Sequence, residues 1–537
     1  MNPFAYVLIE RIENKLINMG KIGNNTMYTF SGITYERPDY NKQKEILKKY
    51  KEEMISARSY VELRRLWLSM KETMEYVDFI EQYAFNCYLC GVSYKFYKEE
   101  VKIHDIEHPL LSSLKKDCDN IIIRSPYVEK FSNEFGGKIV AQLKNINMLT
   151  DERILSMQLT ESELKTEYTS LLAVGQYNDH LIRKYEILDS LIRIRTKIAQ
   201  TLGFQNYIEM AYILHERFDY GTKEIKIFRS QIKKFITPVC YEIRKSNEVS
   251  YPATTISEAD ELIIKIKNMF CDISEESGDY LNYILAHEFI DLADRPFKRP
   301  NYFACCMIPY VKTPFIIGCF HGSGLDVNYL IHELAHGYAF YSAARAQKLY
   351  EYHRAGTSIN EIHSKTMEYL AYPYMDDFFG SNKNSYFFNH IFHDIDNLPY
   401  RCAIDEFEHA IYEDINMTCV QRCGLWAEIE KEYMPWRMSN LEAIKAGTYW
   451  PNQTHLFTHP FYYIEYDIAQ MSVFEFYGRS KSNFKQTWNE YSKLCHAGGS
   501  LNYLDLLKVG NLTNPFTDNA LEKICGPVLN EISSYMP

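Results

Sequence analysis

The feature that most restricts the fold of this chain is the helical spacing of its apolar residues. In segments 41–85, 149–173 and 190–214, apolar side chains recur every three or four positions, which is the repeat of an amphipathic α-helix. Residues 301–320 differ, because they are rich in aromatic and β-branched side chains and are interrupted by two prolines. That pattern predicts two short strands in a hairpin. We therefore expect a mainly α fold with a small β-sheet.

The length of the chain predicts more than one folding unit. A chain of 537 residues exceeds what a single hydrophobic core usually supports. Glycine, asparagine and proline precede the first helical pattern, so the first ordered helix is expected near Tyr40. We expect an N-terminal extension over residues 1–38, an N-terminal helical region over 39–190 and a functional region over 191–537.

The charge and the apolar pattern exclude several classes of partner. The formal net charge is -11 and no block of five or six lysines or arginines is present, so we do not expect nucleic-acid binding. No run of about eighteen apolar residues and no secretory signal is visible, so we expect no association with membranes. Thirteen cysteines, an odd number, fit free thiols in a cytoplasmic protein.

The segment YLIHELAHGYAF, residues 329–340, holds two histidines four positions apart with a glutamate directly after the first. On a helix, His332 and His336 project from the same side, because four residues make about one turn. Glu333, rotated by about 100° from His332, could reach a water on an ion held by both imidazoles. Asp326 is expected to be the N-cap of this helix. The alternative is a pair of histidines buried in the core without a metal.

A catalytic zinc needs a third protein ligand, and residues 358–375 contain a candidate. Glu361 and Glu368 share one face of the predicted helix, since they are seven positions apart. Glu361 has a second possible role, because Ser358-x-x-Glu361 fits a capping box in which the glutamate turns back to its own helix end. The residues alone support ligation and capping equally.

Residues 454–470 concentrate neutral hydrogen-bond donors. Two histidines and three tyrosines lie within twelve residues of this segment: His455, His459, Tyr462, Tyr463 and Tyr466. Phenol and imidazole groups could stabilise the oxyanion that develops at a metal-bound carbonyl. The alternative is an aromatic helix in the core.

Together, the three segments resemble the oligoendopeptidase F and thimet oligopeptidase family of zinc metallopeptidases, and within it the bacterial oligoendopeptidases. The resemblance rests on YLIHELAHGYAF, on EIHSKTMEYL with its first glutamate twenty-five positions after His336, and on HLFTHPFYYIEY. It is clear over residues 290–475 and weaker over the flanking sequence from about residue 35. Three matching segments in the same order are more specific than one short motif.

The resemblance implies a role for each candidate residue. One zinc ion per chain would be bound by His332, His336 and Glu361, and Glu333 would be the general base. Glu368 and Asp326 would orient the ligands through hydrogen bonds without touching the metal. The tetrahedral intermediate would be stabilised by His455, Tyr462 and Tyr466, with His459 and Tyr463 as further candidates. The substrate backbone would contact the strand and glycine-bearing loop before the motif, at Ile317, Gly318, Gly322 and Gly324.

The resemblance also implies a fold and an activity. The expected architecture is a two-lobed helical metallopeptidase that encloses a deep channel, with the small sheet beside the HExxH helix and residues 191–537 as the catalytic region. The expected activity is hydrolysis of internal bonds in short peptides. Two alternatives stay open: a zinc exopeptidase on a similar scaffold, and a helical peptide-binding protein without catalysis.

Overall fold

Helices dominate the structure, as the spacing of apolar residues predicts. The computed structural model describes residues 29–149, 151–174, 180–244, 252–256, 258–299, 302–439 and 442–534. Of the expected extension over residues 1–38, residues 1–28 lie outside the described residues. Phe30 is buried and stacks on Phe315 with ring centroids 4.1 Å apart. Residues 30–38 therefore belong to the packed fold rather than to an extension.

The N-terminal part of the described chain is a bundle of helices. After a 3₁₀ turn at Phe30–Gly32, it contains α1 (Tyr40–Ser56), α2 (Tyr60–Leu89), α3 (Tyr94–Arg124), α4 (Val128–Phe135) and α5 (Gly137–Leu149). Side-chain caps set where the first two helices begin. Asp39 accepts a hydrogen bond from the backbone N–H of Lys42, and Ser59 accepts one from the backbone N–H of Glu62. Such caps satisfy N–H groups that have no partner within the helix.

Further helices precede and follow the strands of the sheet along the chain. Before it come α6 (Leu155–Val174), α7 (Leu181–Thr201), α8 (Tyr207–Leu214), α9 (Thr222–Gln231), α10 (Thr237–Arg244), α11 (Ala259–Ile273) and α12 (Glu275–Ala286). After it come α13 (Gly324–Ala346), α14 (Thr357–Leu370), α15 (Met375–Phe379), α16 (Lys383–Glu413), α17 (Cys419–Tyr433), α18 (Glu442–Lys445), α19 (Thr454–Thr458), α20 (Glu465–Ser480), α21 (Phe484–Ala497), α22 (Tyr503–Val509) and α23 (Ala520–Ser534). Within the described ranges, no helix is both long and apolar enough to cross a membrane.

The sheet has its longest strand pair where the hairpin was predicted. Its strands are β1 (Ile290–Asp291), β2 (Phe303–Ile308) and β3 (Thr313–Gly318), arranged in the order β1-β3-β2. β2 and β3 are antiparallel, with Cys305 opposite Ile316, and β1 runs parallel to β3. β3 is therefore the central strand, while one edge of β2, its free edge, pairs with no strand among the described residues.

The central position of β3 contradicts one prediction. Ile317 pairs with Asp291 on one side and with Ala304 on the other. A peptide cannot add to a strand whose two edges are already occupied. Strand addition at Ile317 is therefore excluded, whereas the predicted contact at Gly318, which pairs only with Phe303 in the described sheet, stays a prediction.

The turn before α13 is built for capping and close packing. The Ser323 hydroxyl accepts a hydrogen bond from the backbone N–H of Asp326, whose carboxylate accepts one from the N–H of Ser323 at 2.9 Å. Asp326 is thus at position N3 of a capping box, the third residue of the helix. The predictions that Asp326 is the N-cap and that it supports a metal ligand are therefore wrong. Gly322 has a φ of 80°, which favours glycine. A Cβ at Gly324 would lie 2.3 Å from the backbone oxygen of Pro252, so packing rather than substrate contact explains this glycine.

Two hydrophobic cores hold the helices together. The smaller core is formed by side chains from α1 to α5 together with Leu349 and Tyr352, and it ends near Leu143, whereas the sequence placed a boundary at residue 190. The larger core contains the sheet and the later helices. A cavity of about 1430 Å³ is lined by α2, α3 and α5 on one side and by β2, α13 and α14 on the other. The prediction of a two-lobed, mainly helical fold around a channel, with a small sheet beside α13, is confirmed.

Close packing at Gly337 predicts a stability effect. Gly337 follows His336 on α13, and a Cβ there would lie 2.2 Å from the hydroxyl oxygen of the buried Tyr280. We expect Gly337→Ala to lower the free energy of unfolding by about 1–3 kcal/mol, because the helix or the tyrosine must shift. Thermal denaturation of the purified variant measures this loss.

Gly424→Ala on α17 is the matched control. Gly424 is also helical, and nothing lies within 4 Å of a Cβ built there, so alanine should stabilise the protein by up to about 1 kcal/mol. Equal melting temperatures for Gly337→Ala and Gly424→Ala would contradict the role of close packing at Gly337.

Candidate active site

Three side chains on two helices converge at one point of the cavity wall. His332 and His336 project from the same side of α13, and their Nε2 atoms lie 3.1 Å apart. Glu361 on α14 places Oε2 3.6 Å from the Nε2 atom of His332. One atom from each residue lies within 4.8 Å of the other two. The structure thus brings the three predicted ligands together around a space that one ion could fill.

A buried carboxylate behind the histidine pair sets the tautomer of His332. Oε1 of Glu368 lies 2.6 Å from Nδ1 of His332, so Nδ1 carries the proton and the Nε2 lone pair points toward His336. The other oxygen of Glu368 accepts hydrogen bonds from His390 at 2.6 Å and from Asn328 at 2.9 Å. The sequence predicted Glu368 in this position but not Asn328 or His390. A carboxylate hydrogen-bonded to a ligating histidine is the usual support of a metal site.

The capping role considered for Glu361 is not formed. The N-cap of α14 is Gly356, and the hydroxyl of Ser358 donates a hydrogen bond to the Glu465 carboxylate instead. The Glu361 side chain accepts a hydrogen bond of 3.3 Å from the Ser364 hydroxyl and otherwise faces the histidines. Ligation is the role that this geometry leaves available to Glu361.

The chemistry of these donors fits a divalent cation. Two imidazole lone pairs that face each other at 3.1 Å repel unless a cation or proton lies between them. Burial lowers the pKa of His332, but the carboxylates of Glu368 and Glu361 outweigh burial and raise this pKa to about 9, so the site favours positive charge. Two imidazoles and one carboxylate, open on one side to a cavity, are the ligand set of a catalytic zinc site.

Glu333 lies beside the three donors. Its side chain lines the cavity together with His336, Glu361 and residues 303–307 of β2. Burial raises the pKa of Glu333, an effect that charge on His332 opposes. A carboxylate with a raised pKa can accept and release a proton near neutral pH.

The tyrosine segment, residues 459–466, forms another wall of the cavity. His459 and Tyr462 line the cavity, and the hydroxyl oxygens of Tyr462 and Tyr466 lie 3.4 Å apart. Burial and the nearby Glu361 carboxylate raise the pKa of Tyr466. Its hydroxyl is therefore a neutral donor on the side of the metal ligands.

His455, just before the tyrosine segment, is held as a neutral donor. The side-chain amide of Gln453 donates to Nδ1 of His455 at 2.8 Å, so the proton of the ring is on Nε2. Burial, followed by His459 and Arg401, lowers the pKa of His455 to about 4. Tyr463 stacks on the ring at a centroid distance of 4.3 Å. Tyr463 therefore supports His455 from behind, which differs from the donor role considered for it.

Four cavity-lining histidines were not predicted from the sequence, namely His104, His108, His215 and His353, and His215 is the one bonded to the tyrosine segment. His215 follows α8 and donates from Nε2 to the backbone oxygen of Pro460 at 2.9 Å. Burial lowers the pKa of His215 to about 3, so the ring is neutral. Its partner is 245 positions away in the chain, and no local spacing could have marked this residue.

A second group of possible metal ligands lies on the opposite wall. Asp78 and Glu81 on α2 and His108 on α3 also place one atom each within 4.8 Å of the others. Nδ1 of His108 lies 2.6 Å from a Glu81 oxygen, which is the length of a direct hydrogen bond and leaves no room for an ion between these atoms. Hydrogen bonding to Glu81 raises the pKa of His108. This group is an ion pair that ties α2 to α3.

The chain is similar to known peptidases in its N-terminal part and in its fold. A family model described as the peptidase M3 N-terminal domain matches residues 30–149. No curated protein matches the sequence at a significant level.

Three solved structures share the fold over nearly the whole chain. PZ peptidase A, solved with an inhibitor, is 28% identical with a TM-score of 0.82, and the alignment covers 94% of this chain and 99% of that one. An oligoendopeptidase F structure at 27% identity and a TM-score of 0.81 has the same coverage. An oligoendopeptidase F from Bacillus anthracis str. Ames is 26% identical with a TM-score of 0.78, covering 95% of this chain and 99% of that one.

These similarities confirm the resemblance that the three sequence segments predict. The family match begins at residue 30, which agrees with the burial of Phe30. Residues 30–149 are thus similar to the peptidase M3 N-terminal domain, and the described chain has the fold of these PZ peptidase and oligoendopeptidase F structures.

Proposed function

We propose that this protein is a zinc-dependent endopeptidase that hydrolyses peptide bonds in short oligopeptides. The observation that carries the proposal is the convergence of His332, His336 and Glu361 within reach of one ion. Glu333 and Tyr462 line the same cavity as His336 and Glu361. A metal, a proton acceptor and an oxyanion donor would then surround one substrate carbonyl, as peptide hydrolysis requires.

His332, His336 and Glu361 would hold the zinc ion. When bound, zinc would polarise the scissile carbonyl and lower the pKa of a water molecule. Glu333 accepts the proton of the attacking water and passes it to the leaving nitrogen. Its pKa, raised by burial, suits both transfers, because a proton on a weakly acidic carboxyl can be released again near neutral pH.

Neutral donors on the other wall would stabilise the oxyanion. Tyr462 lines the cavity, Tyr466 lies beside it, and His455 presents a protonated Nε2. Because phenol and neutral imidazole groups are uncharged near pH 7, they favour the charge that develops in the transition state more than the neutral substrate.

The free edge of β2 would bind the substrate backbone. Cys305 and Glu333 line the same cavity, and β2 pairs only on its β3 side within the described sheet. An extended peptide could add to this edge through main-chain hydrogen bonds, which read no side chains. The cavity of about 1430 Å³ exceeds a pocket for a drug-sized ligand and is far smaller than a folded domain, so short peptides are the substrates we expect.

Mass spectrometry of a mixed peptide pool tests the proposal. The purified protein, loaded with zinc, should cut short peptides at internal bonds, and a chelator should abolish the cuts. Removal of terminal residues alone would indicate an exopeptidase. An intact peptide pool after incubation with zinc-loaded protein would instead favour a peptide-binding protein without catalysis.

Metal content and activity should separate the roles of two glutamates. Glu333→Gln should keep one zinc per chain and lower turnover by roughly 10²–10⁴-fold, because proton transfer is lost. Glu361→Gln should weaken zinc affinity by more than the roughly 10–100-fold that the outer hydrogen-bond partners of a ligand contribute. Atomic emission measurements on dialysed protein give the zinc content.

Glu432→Gln, which changes an exposed carboxylate on α17, should alter neither zinc content nor activity. Near-normal turnover in Glu333→Gln would remove this residue as the base. Unchanged zinc retention in Glu361→Gln would remove that residue as a ligand.

The pH profile should show no titration of His455. Because its pKa is lowered to about 4, the ring stays neutral between pH 5 and pH 8 and gains a proton only below that range. His455→Gln should therefore lower kcat while leaving the acidic limb of the kcat profile in place above pH 5. A shift of that limb would show that His455 titrates during catalysis.

A further inference from the structure

We propose that Arg217 and Glu465 form a positioning pair that holds the tyrosine segment against the helix carrying Glu361. The inference rests on the proposed peptidase function and goes beyond it, since neither residue touches the metal donors. Both are buried, with side-chain exposures of 0% for Arg217 and 4% for Glu465. Arg217 follows α8 and Glu465 begins α20, 248 positions later.

Arg217 donates hydrogen bonds to the tyrosine segment at two points. Its Nε donates to an oxygen of Glu465 at 2.7 Å, and one terminal nitrogen donates to the backbone oxygen of Phe461. These two acceptors flank Tyr462 in the chain. The guanidinium also lies over the ring of Tyr212 at 4.6 Å, which fixes its plane. A planar fork of donors is needed to bind two acceptors in this way.

Glu465 connects the same segment to α14. Its second oxygen accepts a hydrogen bond from the hydroxyl of Ser358, a residue in the first turn of α14 and three positions before Glu361. An anion at the N-terminus of a helix also interacts favourably with the helix dipole. The neighbour of Glu465 in the chain is Tyr466, whose hydroxyl lies near Glu361. The pair therefore sets the distance between the metal donors and the oxyanion donors.

The backbone of the tyrosine segment needs such support. Phe461 is buried and has a φ of 64°, a conformation that costs a bulky residue energy unless the surroundings hold it. Its N–H donates to Glu408 at 2.8 Å, and the preceding carbonyl of Pro460 accepts from His215. Burial raises the pKa of Glu408. Arg217 supplies the charge-assisted bond among these contacts, and such bonds are the strongest of their kind.

Arg217→Lys tests the pair while keeping the positive charge in place. One ammonium cannot reproduce the geometry of the fork, so kcat should fall at least tenfold while KM and the zinc content stay within twofold of the wild type. Arg422→Lys is the matched control, because Arg422 is a buried arginine with 2% side-chain exposure, paired to Asp189 at 2.9 Å, on α17. It should lose comparable thermal stability and keep kcat within twofold.

A double-mutant cycle separates positioning from general stability. If Arg217 acts through the tyrosine, then Arg217→Lys in a Tyr462→Phe background should lower kcat less than twofold further. If the fold-loss in kcat of the double variant equals the product of the two single fold-losses, the inference is overturned, because independent effects add in free energy. Glu465→Gln should reproduce the loss seen in Arg217→Lys, since it removes the same ion pair.

Amide hydrogen exchange tests the pair without any substrate. Arg217→Lys should speed exchange in residues 459–466 and in the first turn of α14, and Arg422→Lys should not. Unchanged exchange in these two places would overturn the inference. If the wild-type protein fails to cleave any peptide, the proposed function fails, whereas normal cleavage by Arg217→Lys overturns only the positioning role.

Discussion

The Glu368 carboxylate is the contact on which the metal side of the site depends. Burying an ionised carboxylate is costly unless each oxygen is paired, and Glu368 is 2% exposed. Its partners His332, Asn328 and His390 come from α13 and α16, while Glu368 itself is on α14. The chain cannot satisfy this charge without also setting the ring of His332. A general requirement of buried charge therefore produces the preorganisation that a metal site needs.

The same principle operates on the side of the tyrosine segment. Arg217 and Glu465 are buried charges that satisfy each other, and their remaining bonds go to the backbone near Tyr462 and to Ser358. Each half of the site is thus held in place, because its buried charges have few other hydrogen-bond partners where water is excluded. The third wall comes from α2, α3 and α5 of the smaller core, so relative motion of the two cores would change access to the site and leave its chemistry in place.

Local spacing in the sequence was sufficient for the features that a single turn or strand determines. The grouping of His332, Glu333 and His336, the hairpin and the helical fold all follow from periodicity. The order of the strands could not be predicted, because β1 has two residues and carries no pattern. The sequence predicted Asp326 as the N-cap of α13, whereas the N-cap is Ser323, because both residue types are common at the start of a helix. Partners such as His390 come from distant segments, and a single sequence holds no information on such pairings.

The free edge of β2 has a consequence beyond the proposed substrate binding. An unpaired strand edge is a template for any extended chain, including a second copy of the same protein, and proteins usually block such edges with charges, bulges or coverage. Here β2 lines the cavity, and α2 and α3 stand across from it. The walls of the cavity therefore cover this edge against edge-to-edge aggregation, and a sheet edge can stay available without becoming a liability.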